Sequence, residues 1–155
     1  MKNKSELTPE QALIRLQNLC NRGEYCTSEI TNKLTGWAVS PQSIQKIIHR
    51  LRSDKLLDDE RFAVSFAHSK AIYSHWGKLK IRLALLRKKI EKDYIENALD
   101  KIDPEEYEVA LTNVIEIKRR QLKEEADTYE GRTKIFRYAA SKGYETSLIV
   151  KIMKS

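Results

Sequence analysis

At 155 residues, 41% apolar and 33% charged, with a formal net charge of +7, the chain has enough apolar material for a packed core. Its positive balance favours a polyanionic partner. Five Gly and three Pro are too few for a turn-rich β-sandwich, and no apolar run approaches the ~20 residues of a membrane span. The polar stretch Met1 to Glu10 carries no apolar signal segment, and two cysteines, Cys20 and Cys26, fit a reduced cytoplasmic protein better than a disulfide scaffold.

Residues 1–8 read as a flexible N-terminal arm. Thr8-Pro9 then opens a helix over 9–21, because the Thr hydroxyl can accept an orphan amide and Pro at the first helical position needs no N–H. Gln11 completes a capping box, and Leu13, Leu16 and Cys20 line the apolar face. A short helix follows near 28–35. Ser40-Pro41 starts the next, over about 41–53, with Ile44, Ile47, Ile48 and Leu51 on one face. Helix 59–74 aligns Phe62, Phe66, Ser69 and Tyr73, and short helices follow over 78–89 and 92–101. Asp103-Pro104, with Glu106 as box partner, begins a longer helix to about residue 125 through Tyr107, Ala110, Leu111, Val114 and Ile117. Helices near 131–142 and 145–154 close the chain. Gly23, Gly36, Gly77, Gly131 and Gly143 lie between the periodic segments and mark breaks.

The same apolar rungs recur three times. From Ile30, offsets of 4, 9, 14 and 18 residues reach Leu34, Val39, Ile44 and Ile48. From Ile81 they reach Leu85, Ile90, Ile95 and Leu99, and from Ile135 they reach Ala139, Tyr144, Ile149 and Met153. The copies begin 51 and then 54 residues apart, and Ala12, Ala63 and Ile117 each stand 18 residues before a copy. A fixed period of this kind marks stacked units that bury their apolar faces against one another. The fold class is therefore all-α: three tandem three-helix repeats in an elongated, curved array, with repeats at 9–54, 55–103 and 104–155. Such an array offers long surfaces rather than a deep pocket, so binding is expected before catalysis.

Charge is unevenly spread along this array. From Arg61 to Ile90 there is no acidic residue and there are eight Lys and Arg. On the helix from 78, Lys78, Arg82 and Lys89 share one sector, and Lys80 and Arg87 share a nearly opposite one. Apolar sides lie between, so the helix reads as gripped from two sides with two basic edges exposed. With Lys88 these form a phosphate-binding candidate, which Arg132, Lys134 and Arg137 extend in the third unit. Lys46, His49, Arg50 and Arg52 oppose the apolar face in the first unit, and Lys118-Arg119-Arg120 reads as ordinary helix-surface charge.

Other constellations carry less chemistry. Asp58-Asp59-Glu60 is a tight acidic cluster that a metal-dependent nuclease could use, but its place before a helix suits capping. His49, His68 and His75 lack zinc spacing, and Cys20 and Cys26 have no second pair. Trp37 and Trp76 each lie beside a glycine break, where they either pack a hinge or stack on bases.

Three stretches resemble the RecX family of RecA modulators, over residues 9–154. The first is Leu19-Cys20 with Arg22, Tyr25, Ser28-Glu29-Ile30 and Lys33-Leu34. The second runs Leu56-Leu57-Asp58-Asp59-Glu60-Arg61-Phe62-Ala63, then Gly77, Lys80-Ile81-Arg82 and Leu85. The third is Arg137-Tyr138 with Lys142-Gly143-Tyr144 and Ile149. The chain departs from the family pattern at Lys88-Lys89-Ile90, where Gly commonly precedes Ile, and at Cys26-Thr27, which separate Tyr25 from Ser28. The resemblance implies three three-helix repeats that bind in the groove of the RecA–single-stranded DNA filament and inhibit its growth, ATP hydrolysis and strand exchange. The chain is accordingly expected to be a cytoplasmic, monomeric, non-enzymatic regulator with no cofactor or metal and no membrane partner, for which double-stranded DNA is a further partner. The competing readings are a helix-turn-helix-like transcriptional regulator and a metal-dependent nuclease.

Overall fold

The computed structural model describes residues 6–155, all of whose regular structure is helical. Among the described residues nine α-helices follow in order: α1 Pro9–Arg22, α2 Thr27–Gly36, α3 Pro41–Ser53, α4 Asp59–Ile72, α5 Lys78–Arg87, α6 Lys92–Asp100, α7 Pro104–Leu122, α8 Tyr129–Ser141 and α9 Thr146–Met153. All three prolines occupy the first helical turn. Thr8 Oγ1 accepts from the Gln11 amide at 3.2 Å while Gln11 Oε1 accepts from the Thr8 amide at 3.0 Å. Asp103 caps α7 alone, accepting from the Glu105 and Glu106 amides at 2.8 and 3.1 Å, so the expected box with Glu106 is only half built.

The rungs are the core. Of the fifteen recurring positions, all but Met153 are buried. Each buried aliphatic side chain of this size is worth about 1.5–3 kcal/mol, so the repeat pattern and the main source of stability are one feature. Two of its units pack as one. Ala12, Leu16, Ile30, Leu34, Ile44, Ile48 and Leu51 form a first core, whereas the apolar faces of α4 to α9 merge into a second. Helix α4 holds the merged core together by packing on α5, α6 and α7. The accessible surface is 10184 Å² for 18.1 kDa, against about 8000 Å² for a compact globule of that mass, which makes the array elongated.

Several local expectations change. Helix α4 buries the small stripe Ala63, Ala67 and Ala71 beside Phe62, while Ser69 and Tyr73 face solvent; alanines let α6 and α7 approach closely. Helix α7 stops at Leu122 and a 3₁₀ segment, Lys123–Asp127, follows. That break takes Ile117 out of register with Ala12 and Ala63 and leaves it exposed, while Ile115 is buried in its place. Gly131 lies inside α8 rather than in a break, and it is the close approach of the 3₁₀ segment that requires glycine there, since a Cβ would stand 1.9 Å from the Glu125 carbonyl oxygen. Leu7 donates its amide to the Trp37 carbonyl at 3.1 Å and packs on the first core, so the expected arm over 1–8 is tied down from Leu7; residues 1–5 lie outside the described residues.

The second and third units meet where two glycines cross. A Cβ on Gly77 would stand 2.1 Å from the Gly143 carbonyl carbon, and one on Gly143 would stand 2.4 Å from Lys80 Cβ. Gly143 also has φ +97°, a conformation L side chains avoid. The close approach lets Gly77 N–H donate to the Lys142 carbonyl at 2.8 Å and Leu79 N–H to Gly143 at 3.1 Å. The equivalent turns of the other units are also left-handed, at Ala38 (φ 60°) and Lys89 (φ 59°), so Lys89 adopts a backbone conformation that favours glycine.

Candidate nucleic-acid interface

Helix α5 starts at Gly77, which offers no capping side chain; its first amide is held instead by the Tyr107 hydroxyl, 2.9 Å from Lys78 N. That hydroxyl in turn donates to the Glu145 carboxylate. Burial, reinforced by this carboxylate, pushes the Tyr107 phenol well above its ordinary range. The N-terminal end of α5 is thus pinned to α7 and to the start of α9, and its orientation is set by the rest of the chain.

The two edges of α5 differ. On one, the Arg82 guanidinium forms a two-pronged pair with Glu96, at 2.8 and 3.1 Å, and the Lys78 ammonium sits 5.2 Å from the Tyr107 ring centroid. The Glu96 carboxyl is held below its ordinary value by that hydrogen bond. On the other edge Lys80 and Arg87 form no ion pair with a described residue. Lys80 Nζ instead lies 4.4 Å from the Trp76 ring, beside Lys70 at 4.7 Å, a cation–π arrangement that holds both ammoniums at the surface of one aromatic ring. Trp76 packs edge-on against Phe66, so it serves as a fixed platform.

Lys88 and Lys89 diverge at the end of the helix. Lys88 Nζ binds Glu29 at 3.0 Å, while its carbonyl accepts from the Ser28 hydroxyl at 2.6 Å. Burial pushes the Glu29 carboxyl up, but the Cys26 amide and the Lys88 ammonium outweigh it and hold the group below its ordinary 4.5. Lys88 therefore fastens the first unit to the second. Lys89 is exposed and forms no ion pair with a described residue. In α8, Lys134 pairs with Glu125 at 2.6 Å, whereas Arg132 and Arg137 are exposed and unpaired among the described residues. Of the nine candidate cations, three have carboxylate partners, Lys78 and Lys80 rest on rings, and Arg87, Lys89, Arg132 and Arg137 stand free among the described residues. Arg132 also rims a groove of 620 Å³ with Tyr129, Phe136 and Val150.

One apolar flank of α5 is not gripped. Ile81 and Leu85 are fully buried, but Leu79, Leu83 and Leu86 are 46%, 55% and 40% exposed. Periodicity identifies two apolar sides of a helix; it cannot tell which of them has a neighbour.

The acidic cluster is used for assembly. Asp58 caps α4 through the Arg61 amide at 3.0 Å, and Asp59 reaches across to the Thr27 amide and hydroxyl at 2.8 and 2.9 Å. Among the described residues no three His, Cys, Asp or Glu side chains gather as a metal site. Likewise no described helix is long and apolar enough to cross a membrane.

Residues 58–99, the segment of α4 to α6, match the family model for the RecX second three-helix domain. The regulatory protein RecX of Clostridium perfringens (strain SM101 / Type A) is 31% identical over 144 residues, covering 90% of this chain and 67% of that protein. The chain belongs to the RecX family. The RecX of Clostridium botulinum (strain Eklund 17B / Type B) is 33% identical over 127 residues, which span 81% of this chain and 59% of that relative. The fold is likewise that of solved RecX structures. One crystal structure of a regulatory protein RecX superposes with a TM-score of 0.84 at 21% identity, over 95% of this chain and 72% of that one. RecX from Lactobacillus salivarius superposes with a TM-score of 0.82, also at 21% identity, over 94% of both chains. Of the residues that carried the resemblance, Ser28, Glu29 and Asp59 help to build the joint between the first two units.

Proposed function

We propose that the chain is a non-enzymatic, cytoplasmic regulator of homologous recombination that binds the RecA–single-stranded DNA filament, and DNA itself, and inhibits the recombinase. One observation carries the reading. The segment matched as the RecX second three-helix domain contains the acid-free stretch from Arg61 to Ile90, and its helix α5 with the turn after it holds Lys80, Arg87 and Lys89 without carboxylate partners among the described residues. Such cations attract phosphates by charge and by releasing counterions. Arg132 and Arg137 on α8 extend the contact, while Arg82, Lys88 and Lys134 act as internal fasteners and contribute less.

In this reading the elongated chain bridges neighbouring recombinase protomers, and the protomers can no longer rearrange freely. The partner itself is inferred from family membership. The experiment is to add purified chain to preformed RecA filaments on single-stranded DNA and follow ATP hydrolysis and filament length. The expected result is dose-dependent inhibition with shortened or arrested filaments. Unchanged hydrolysis and length at saturating chain would refute the proposal.

A further inference from the structure

Helix α5 turns Ile81 and Leu85 into the core and presents Leu79, Leu83 and Leu86 outward, at 46%, 55% and 40% exposure. These three positions recur at helical spacing, so their side chains line up as one ridge. The ridge has unlike borders. Arg82 on one side is neutralised by Glu96, whereas Lys80 and Arg87 on the other have no carboxylate partner among the described residues. Phosphates reward the cations but gain nothing from leucine, so a phosphate contact leaves the ridge unexplained. A row of bare leucines edged by charge is instead the chemistry of a protein-binding face.

The charge selects the occupant. A second copy of this face would bring the same unpaired cations, and the acid that borders it, Glu96, is already paired with Arg82. The first five residues, Met1 to Ser5, include Lys2 and Lys4 and no carboxylate, so they do not complement the border either. We infer that the ridge seats an acidic amphipathic segment of a protein partner, whose apolar side chains meet Leu79, Leu83 and Leu86 while its Asp or Glu side chains meet Lys80 and Arg87. In placing that segment on the recombinase filament, this inference rests on the function proposed above.

Two probes test it. The first compares the wild-type chain with the triple variant Leu79→Gln, Leu83→Gln, Leu86→Gln in binding to preformed RecA filaments and to oligo-dT alone. The altered side chains are exposed, so the variant is expected to keep its melting temperature. Loss of about tenfold in filament affinity, with oligo-dT affinity held within about twofold, supports the ridge. Equal losses on both, or none on either, overturn it. The second probe is a helical peptide with leucines at the same spacing flanked by Glu, and a twin flanked by Lys. Binding of the Glu peptide to wild type but not to the triple variant supports the inference; equal binding of the twin overturns it. Binding to vesicles of three parts phosphatidylcholine and one part phosphatidylglycerol that the triple variant abolishes would assign the ridge to lipid and also overturn it. Should wild type fail to bind filaments at all, the recombinase reading falls, and the peptide pair alone decides the ridge.

Discussion

Gly143→Ala tests how firmly the second and third units are joined, because the added methyl meets backbone rather than a yielding side-chain tip. The new Cβ would stand 2.4 Å from Lys80 Cβ and 2.6 Å from Lys80 N, at a residue whose φ is +97°. The conformation alone costs an L residue about 1–2 kcal/mol. Parting the two strands of backbone then lengthens the bonds from Gly77 N–H to Lys142, from Leu79 N–H to Gly143 and from Lys78 N–H to Tyr107, now 2.8, 3.1 and 2.9 Å. At about 1 kcal/mol net for each, added to the cost of the conformation, the expected loss is about 4–5 kcal/mol. For a chain of this size that is a fall of about 8–15 °C in melting temperature. Urea and thermal unfolding followed by circular dichroism measure it. Gly23→Ala serves as the control, because nothing lies within 4 Å of where its methyl would stand and its backbone is extended. Gly143→Ala within about 1 kcal/mol of wild type would refute the view that this glycine crossing sets the joint.

Two further outcomes follow from backbone conformation and titration. Ala38 is exposed at φ 60°, so Ala38→Gly is expected to stabilise the first unit by about 0.5–1 kcal/mol, seen as a raised unfolding midpoint; a lowered midpoint would contradict the strain assigned to that turn. For pH, the Glu29 carboxyl is depressed in the folded chain, so its contribution is present above its ordinary 4.5 and is lost as pH falls through the folded value. Burial raises the Tyr107 and Tyr144 phenols, so their contribution is present below their ordinary 10.0 and is lost as pH climbs beyond it. Unfolding midpoints against pH should therefore fall at both ends, and Glu29→Gln should flatten the acid limb. An acid limb unchanged by that substitution would remove Glu29 as a pH-sensitive tie.

What could be read in the sequence was whatever local chemistry determines. The Thr8, Ser40 and Asp103 caps precede prolines, and each cap acts on an amide two or three residues away. The rungs from Ile30, Ile81 and Ile135 were legible because burial imposes one spacing on every unit. Features that join distant residues were not. Lys88 looks like one more cation until Glu29, 59 residues earlier, is brought beside it. Arg82 meets Glu96 from the adjoining helix, and Gly77 owes its smallness to Gly143 in another unit. The outward leucines of α5 escaped for the same reason, since hydrophobicity marks a face as apolar without saying whether anything covers it. The sector shared by Lys80 and Arg87 could be placed from helical spacing in an acid-free stretch, whereas the gathering of Lys70 and Lys80 on the Trp76 ring could not.

The decisive measurement is the affinity for preformed RecA–single-stranded DNA filaments, taken as a function of salt, for two sets of substitutions. One removes the unpaired cations, with Lys80, Arg87, Lys89, Arg132 and Arg137 changed to Ala; the other removes the internally paired Arg82 and Lys134. Five phosphate contacts predict a slope of log K against log salt near about −3.5, and three, where Lys80 and Arg87 meet partner carboxylates instead, predict one near about −2; either slope is lost in the first set and kept in the second. A salt-independent affinity, or equal weakening by both sets, would contradict the assignment of this surface.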